Sequence, residues 1–142
     1  MSCEKGFVEV ILSDNTKRKV EVVDIDGVKI INLLSLPTSL QVESDDGKFF
    51  SIPKSEIVAR IIERFVTSGP SFVKKKIFEI WGLPAVINAN WLFLIDKEVA
   101  GMVASIIGAN HVVTIPDAPE DRIYNNRGGL VGVKYLQRVD VK

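Results

Sequence analysis

The sequence predicts an α+β fold: an N-terminal antiparallel β-meander covered by a helical hairpin, then a strand-helix-strand unit and a long C-terminal strand. Three observations support this prediction: alternating apolar residues over 7–52, helical spacing over 55–81, and a strand, helix and strand over 91–115. The 142 residues are expected to form a single domain over 1–142. Its two lobes, a β-meander lobe at 7–52 and an α/β lobe at 53–142, would share one core.

The meander is predicted from apolar alternation and from turn residues. Val20 and Val22 alternate with Lys19 and Glu21, which is typical of a strand with one packed face and one solvated face. Asp26-Gly27 favours a type I′ hairpin, because glycine accepts the positive φ that this turn requires. The expected strands are 7–13, 17–24, 29–36, 40–43 and 48–52. They would form a small barrel or one curved sheet that needs a cover.

Two helices are expected to supply that cover. Over 55–66 and 71–81, the apolar side chains recur at the spacing of one helix face, and charged residues fall on the opposite face. Ser68-Gly69-Pro70 would end the first helix. The inward residues are Ile57, Val58, Ile61, Ile62, Phe65 and Val66 in the first helix, and Phe72, Val73, Ile77, Ile80 and Trp81 in the second.

The strand-helix-strand unit has the clearest start and stop signals in the chain. Residues 91–95 form a short apolar run, and Asp96 is placed to cap a helix with its side-chain oxygen. Apolar residues then follow at helical spacing up to Gly108, which supplies a stop. Residues 111–115 return as a β-branched strand. From Leu130 to the end, alternation predicts one long strand that pairs with 112–115.

Composition limits the function classes. The formal net charge is zero and 46% of the residues are hydrophobic, which fits a packed globular protein and gives no global attraction to nucleic acid. The one cysteine, Cys3, excludes a disulfide within the chain and a multi-cysteine zinc site. No apolar run reaches the roughly 18 residues of a membrane span. We expect a cytoplasmic protein without a membrane partner, and the low Gln and Cys content fits a thermophile.

No catalytic constellation, metal site or cofactor-binding motif is predicted. His111 is the only histidine, and its position near a helix end favours a structural role. The acidic groups Asp45-Asp46 and Asp117 with Glu120 and Asp121 could bind a divalent cation, but solvated turns explain them better.

Two basic patches are the candidate nucleic-acid-binding residues. One is Lys74, Lys75 and Lys76, with Arg60 and Arg64 on the neighbouring element. The second patch lies between 122 and 138, and Arg127 in its glycine-bearing loop is the best single candidate. A solvated surface explains each patch better when it is taken singly. The members of the second patch are Arg122, Asn125, Asn126, Arg127, Lys134 and Arg138.

Residues 47–57 resemble the strand, Ile-Pro, Lys and helix core of swapped-hairpin (AbrB-like) DNA-binding domains. In that family a short helix is followed by two more strands. Here the expected helix runs on and a second helix follows, so the chain is not assigned to the family.

The leading hypothesis is a small, soluble, non-enzymatic binding or assembly protein that acts as a homo-oligomer. It is motivated by the missing catalytic constellations and by more apolar faces than so small a core can hide. The alternative is a nucleic-acid-binding protein, with or without a regulatory role, that uses residues 74–76 and 122–138. Enzymatic activity is left open but is not favoured.

Overall fold

The computed structural model describes residues 3–35, 39–43 and 46–139. The predicted strand end near Pro37, the first half of the turn at 44–47 and the last residues of the predicted terminal strand lie outside these ranges. The described residues form one α-helix, two 3-10 turns at Ala109–His111 and Pro119–Asp121, and twelve strands in three sheets. The protein is therefore mostly β.

The largest sheet has six strands in the order β1-β2-β3-β8-β9-β12. β1 and β2 pair antiparallel along their whole length, and β3 follows after a turn in which Asp26 and Gly27 both have positive φ. β3, β8 and β9 run parallel, and β12 returns antiparallel beside β9. The strand bounds are β1 Cys3–Ile11, β2 Lys17–Ile25, β3 Val28–Asn32, β8 Trp91–Leu94, β9 Val112–Thr114 and β12 Gln137–Arg138.

A four-stranded sheet covers one face of this large sheet. Its order is β10-β11-β4-β5, and β11 pairs parallel with β4. Leu94 and Val113 of the large sheet are buried here with Leu40 and Val133 of the smaller one. The bounds are β4 Leu40–Glu43, β5 Phe49–Ile52, β10 Arg122–Tyr124 and β11 Leu130–Val133.

Helix α1, Lys97–Ile107, covers the opposite face. Because side chains alternate along a strand, Phe93 points to this face while Leu94 points to the other. Val99, Val103 and their neighbours on the helix pack against Phe93. The predicted strand-helix-strand unit is confirmed, as is the stop at Gly108, which has φ 103°.

The predicted cap of α1 is wrong in detail. Asp96 makes no side-chain hydrogen bond to the first turn of the helix. Its carboxylate oxygens lie 3.3 and 3.5 Å from the backbone nitrogen of Ser35, so Asp96 accepts a hydrogen bond from the segment after β3 instead.

The predicted helical hairpin is also wrong. Residues 55–59 are irregular, and the two segments that follow are the strands β6, Arg60–Thr67, and β7, Lys74–Trp81. Within the described residues, these two strands pair only with each other and form a two-stranded sheet, here called the ribbon. A ribbon has two solvated faces, and neither face has to be uniformly apolar. Apolar residues at helical spacing can therefore be divided between the two faces.

Two further expectations need correction. The five strands of 7–52 do not form one meander, since β1 to β3 belong to the large sheet and β4 and β5 to the small one. The predicted terminal strand is broken into β11 and β12 in different sheets, although β12 does pair with β9 as expected. Residues 47–57 contain β5 and no helix, so the arrangement of the swapped-hairpin domains is not reproduced. In the described part of the chain, no helix has the length and apolar character needed to cross a membrane.

Candidate nucleic-acid interface

The ribbon is attached to the body of the protein at its foot. Ile61 and Ile80 pair across the ribbon and pack partly buried against the core on the α1 side. Beyond this pair, most side chains on both faces are exposed. The ribbon therefore extends from the body as an arm with accessible faces.

Gly82 fixes the direction in which the ribbon leaves the body. It has φ +91°, and a Cβ atom at this position would lie 2.2 Å from the carbonyl oxygen of Val58. Only glycine combines this backbone conformation with so close an approach. Beside it, Trp81 and the β1–β2 turn around Ser13 and Asp14 line a surface hollow of about 400 Å³.

One face of the ribbon presents two aromatic rings with a lysine over both. Phe65 is 65% exposed and Phe78 is 48% exposed. The Lys76 ammonium lies 5.7 Å from the centre of the Phe65 ring and 5.9 Å from that of Phe78. It also lies 3.5 Å from a carboxylate oxygen of Glu63. Flat apolar surfaces and positive charge thus occur together on this face.

The opposite face carries a second ion pair. An Arg64 guanidinium nitrogen lies 2.6 Å from a carboxylate oxygen of Glu79. The indole N–H of Trp81 donates to the other carboxylate oxygen of Glu79 at 3.4 Å. Lys75 stands opposite Val66 on the same face and is exposed.

Positive charge exceeds negative charge on the ribbon. Residues 60–81 carry five basic and two acidic side chains, whereas the whole chain has a formal net charge of zero. Both acidic residues are already paired, with Lys76 and Arg64. Among the described residues, Arg60, Lys74 and Lys75 have no carboxylate within ion-pair distance. Lys74 instead donates to the hydroxyl of Thr67 at 3.0 Å.

The tip of the ribbon is a tight turn with an exposed aromatic residue. Ser68 N–H donates to the carbonyl oxygen of Val73 at 3.0 Å, and Val73 N–H donates to that of Pro70 at 2.9 Å. Phe72 lies inside this turn and is 85% exposed. Backbone hydrogen bonds therefore fix the conformation of the tip, while its largest side chain, Phe72, faces solvent.

The second predicted patch lies on other sheets, and several of its members have local partners. Arg122 Nε donates to the carbonyl oxygen of Pro116 at 2.6 Å, and Arg138 donates to that of Asn110 at 2.8 Å. The Asn125 side-chain oxygen accepts the backbone N–H groups of Arg127 and Gly129, which fixes the loop. The side chains of Asn126, Arg127 and Lys134 are exposed.

Carboxylates lie close to Arg122, one member of the second patch. Arg122 lines a hollow together with Asp96, Lys97, Glu98 and Asp117, where Lys97 and Asp117 form an ion pair. This hollow lies beyond the carboxyl ends of β3, β8 and β9, where sheets with parallel strands often bind ligands. Its charges are close to balanced, so it does not add to a continuous positive surface with the ribbon.

The remaining chemical candidates have structural contacts. His111 Nδ1 lies 2.8 Å from the carbonyl oxygen of Trp91, and since a carbonyl only accepts, Nδ1 carries the proton. In the described ranges, no group of three or more His, Cys, Asp and Glu residues is placed to hold a metal ion.

Sequence reasoning named the lysines of the ribbon but missed its aromatic residues. Phe65, Phe72 and Phe78 were assigned inward positions or left without a role, because the segment was interpreted as helix. The available signal was the enrichment of β-branched and aromatic residues on both sides of Ser68-Gly69-Pro70.

A scan against protein-family models, a search of curated proteins and a search of solved structures found no match. The functional interpretation therefore depends on the geometry of this chain.

Proposed function

We propose that the protein binds nucleic acid through its ribbon. The observation that supports this function best is the concentration of unpaired positive charge on an element that extends from a neutral protein. Arg60, Lys74 and Lys75 are accessible and lack carboxylate partners in the described structure. Basic side chains of this kind bind phosphates and release condensed counterions, which supplies most of the affinity of non-specific binding.

The dimensions of the ribbon fit this role. Each strand has eight residues, and at about 3.4 Å per residue the paired part is roughly 27 Å long. The major groove of B-DNA admits a two-stranded ribbon. Phe65 and Phe78 additionally offer ring faces on which unpaired bases stack. The same element thus suits a duplex or a single strand, and the experiment below compares the two.

The test measures binding to a labelled 20-base-pair duplex and to a 20-base single strand by fluorescence anisotropy over several salt concentrations. A phosphate contact contributes about one unit to the slope of log K against log salt. Lys74→Ala with Lys75→Ala should therefore lower the slope by about two and weaken binding to all sequences alike. The melting temperature should not change, because both side chains are solvated.

A matched control removes the same charge from the second patch. Arg127→Ala with Lys134→Ala also deletes two exposed basic side chains, in or beside the loop that Asn125 organises. We expect this variant to keep the wild-type slope. A lower slope in the control alone would move the interface to 122–138. Absence of salt-dependent binding by the wild-type protein would refute the proposed function.

Assembly into a homo-oligomer is the second candidate function. It is favoured by the outer edge of β1, a nine-residue strand that carries the exposed ring of Phe7. Open strand edges pair readily with further strands.

A further inference from the structure

We infer that two copies of the protein form a dimer by antiparallel pairing of β1 with β1, which joins the two six-stranded sheets into one. This inference deepens the assembly candidate and does not depend on nucleic-acid binding. It specifies the edge, the register and the residues that meet across the two-fold axis.

The outer edge of β1 is accessible over most of its length. Within the described residues, it is bridged only at its end, where Leu12 pairs with Pro84 and Ala85 N–H donates to the carbonyl oxygen of Ile11. The register with β2 is unbroken from Cys3 to Ile11, so no bulge turns the edge away. The edge also contains no proline. It therefore lacks two of the usual barriers to strand addition.

The alternation of hydrogen bonds along β1 determines which backbone N–H and C=O groups point away from β2. Leu12 N–H donates to Thr16 on the β2 side, whereas the Ile11 carbonyl oxygen accepts from Ala85 on the outer side. Because this direction alternates along an antiparallel strand, the odd-numbered residues of β1 direct their N–H and C=O groups outward. Lys5, Phe7 and Glu9 are the central residues of this set. They are flanked by Cys3 and by Ile11, whose carbonyl oxygen already accepts from Ala85.

The side chains of the same three residues select one register. With Phe7 on the two-fold axis, Phe7 faces Phe7 of the second copy, and Lys5 faces Glu9 of the second copy at two equivalent places. Opposite charges directly across an antiparallel pair are stabilising, whereas like charges are destabilising. A shift of the axis to residue 6 places Lys5 opposite Phe7 and loses both charge pairs.

Burial supports the same register. Phe7 is 61% exposed although the Lys19 ammonium lies 4.7 Å from the centre of its ring. In the proposed dimer, two Phe7 rings become cross-strand neighbours at the centre of the joined sheet. Val8 and Val10 point to the α1 side and continue to face the core. The pairing therefore covers an exposed aromatic residue and leaves the packing of the core unchanged.

A cysteine scan tests the register. All variants carry Cys3→Ser, which removes the only natural cysteine. Facing residues in antiparallel strands have Cα atoms about 5.5 Å apart when they are hydrogen-bonded, which is within disulfide range. Phe7→Cys should therefore form a disulfide dimer under mild oxidation. Glu4→Cys is the matched control, because Glu4 is exposed, takes no part in the proposed charge pairs, and its two copies would be roughly 20 Å apart along the strands.

Charge reversal at Lys5 and Glu9 tests the proposed charge pairs. Lys5→Glu and Glu9→Lys should each weaken dimerisation about tenfold in sedimentation equilibrium, since each places like charges at two sites. The double variant should dimerise more tightly than either single variant. A double variant that dimerises no more tightly than the single variants would overturn the pairing, as would equal cross-linking of Phe7→Cys and Glu4→Cys.

Light scattering of the wild-type protein completes the test. We expect a dimer at about 50 μM protein, and a strict monomer at that concentration would overturn the inference. Salt-dependent binding to nucleic acid is measured separately on the same samples. A monomer that binds DNA would leave the proposed ribbon function standing, whereas a dimer that does not bind would refute only that function.

Discussion

The strand-helix-strand unit and the ribbon differ in how many neighbouring elements pack against them. β8 lies between two parallel neighbours, with α1 on one face of its sheet and the four-stranded sheet on the other. In the part of the chain that the structure describes, β6 and β7 pair only with each other, and they contact the core at their foot. The core of the unit can tolerate little change, because buried side chains such as Phe93 and Val103 have neighbours on all sides. The ribbon can vary its exposed residues with little effect on folding, which suits an element that contacts a partner.

The largest difference between the two regions is expected at Phe93. This ring is fully buried and meets Trp91 edge-on at 6.2 Å between ring centres. Phe93→Ala removes that contact and leaves a cavity, so it should lower the free energy of unfolding by about 3–5 kcal/mol. Urea denaturation followed by fluorescence measures this. A loss of less than about 1 kcal/mol would show that the unit is not the rigid centre of the protein.

The foot of the ribbon should give the next largest effect. Gly82→Ala adds a Cβ atom that clashes with Val58 and strains a positive φ, so a loss of at least about 2 kcal/mol is expected. Gly69→Ala is the matched control, since Gly69 also has a positive φ but nothing lies within 4 Å of the added atom. It should cost about 1 kcal/mol from strain alone. Equal losses would mean that the contact with Val58 does not constrain the ribbon.

The β2–β3 turn offers a smaller, pH-dependent effect in the body of the protein. The hydrogen bond from Lys29, at 2.9 Å, and the backbone N–H of Gly27 hold the pKa of Asp24 below its ordinary value of 3.8. Asp24 therefore stabilises the fold above about pH 4, and the contribution is lost as the pH falls through the lower pKa of the folded state.

Asp24→Asn should accordingly lower the melting temperature at neutral pH, and the difference from wild type should shrink as the solution is acidified. Thermal melts at several pH values measure this. Asp26→Asn in the same turn is a useful comparison, because the carboxylate that forms the ion pair with Lys29 belongs to Asp24. A difference for Asp24→Asn that stays constant below pH 4 would contradict the role assigned to the ionised carboxylate.

The sequence was sufficient for the centre of the fold because local signals agreed there. In α1, helix formers such as Ala100, Met102 and Ala104 coincide with a helical apolar stripe and a glycine stop. In the ribbon the signals conflicted. Ile61, Ile62, Phe65 and Val66 have helical spacing, yet β-branched and aromatic residues favour strands. Both faces of a ribbon are solvated, so its strands need not alternate apolar and polar residues. That alternation is the pattern by which strands are normally predicted.

The pairing of strands that are distant in the sequence was the other feature that could not be predicted. Alternation predicted strands at 40–43 and 48–52, but it could not show that they join β10 and β11 instead of β1 to β3. At the candidate site, charge was the only signal that singled out the lysines at 74–76 as candidates. Arg122 and Arg138 donate to the backbone carbonyl oxygens of Pro116 and Asn110. No sequence motif marks such contacts, so these local roles could not be predicted.

The smallest effect on stability is expected at Phe65, the exposed counterpart of Phe93. Phe65→Ala removes a ring whose described polar contact is the Lys76 ammonium at 5.7 Å, and exposed cation–π pairs are worth only about 0.5–1 kcal/mol. The unfolding free energy should therefore change by no more than about that amount. Binding to single-stranded DNA should nevertheless weaken if a base stacks on the ring, by about 1–3 kcal/mol. Urea denaturation and anisotropy on the same samples separate these effects. A loss of stability comparable to that of Phe93→Ala would place Phe65 in a packed interface, and the contrast between arm and body would fail.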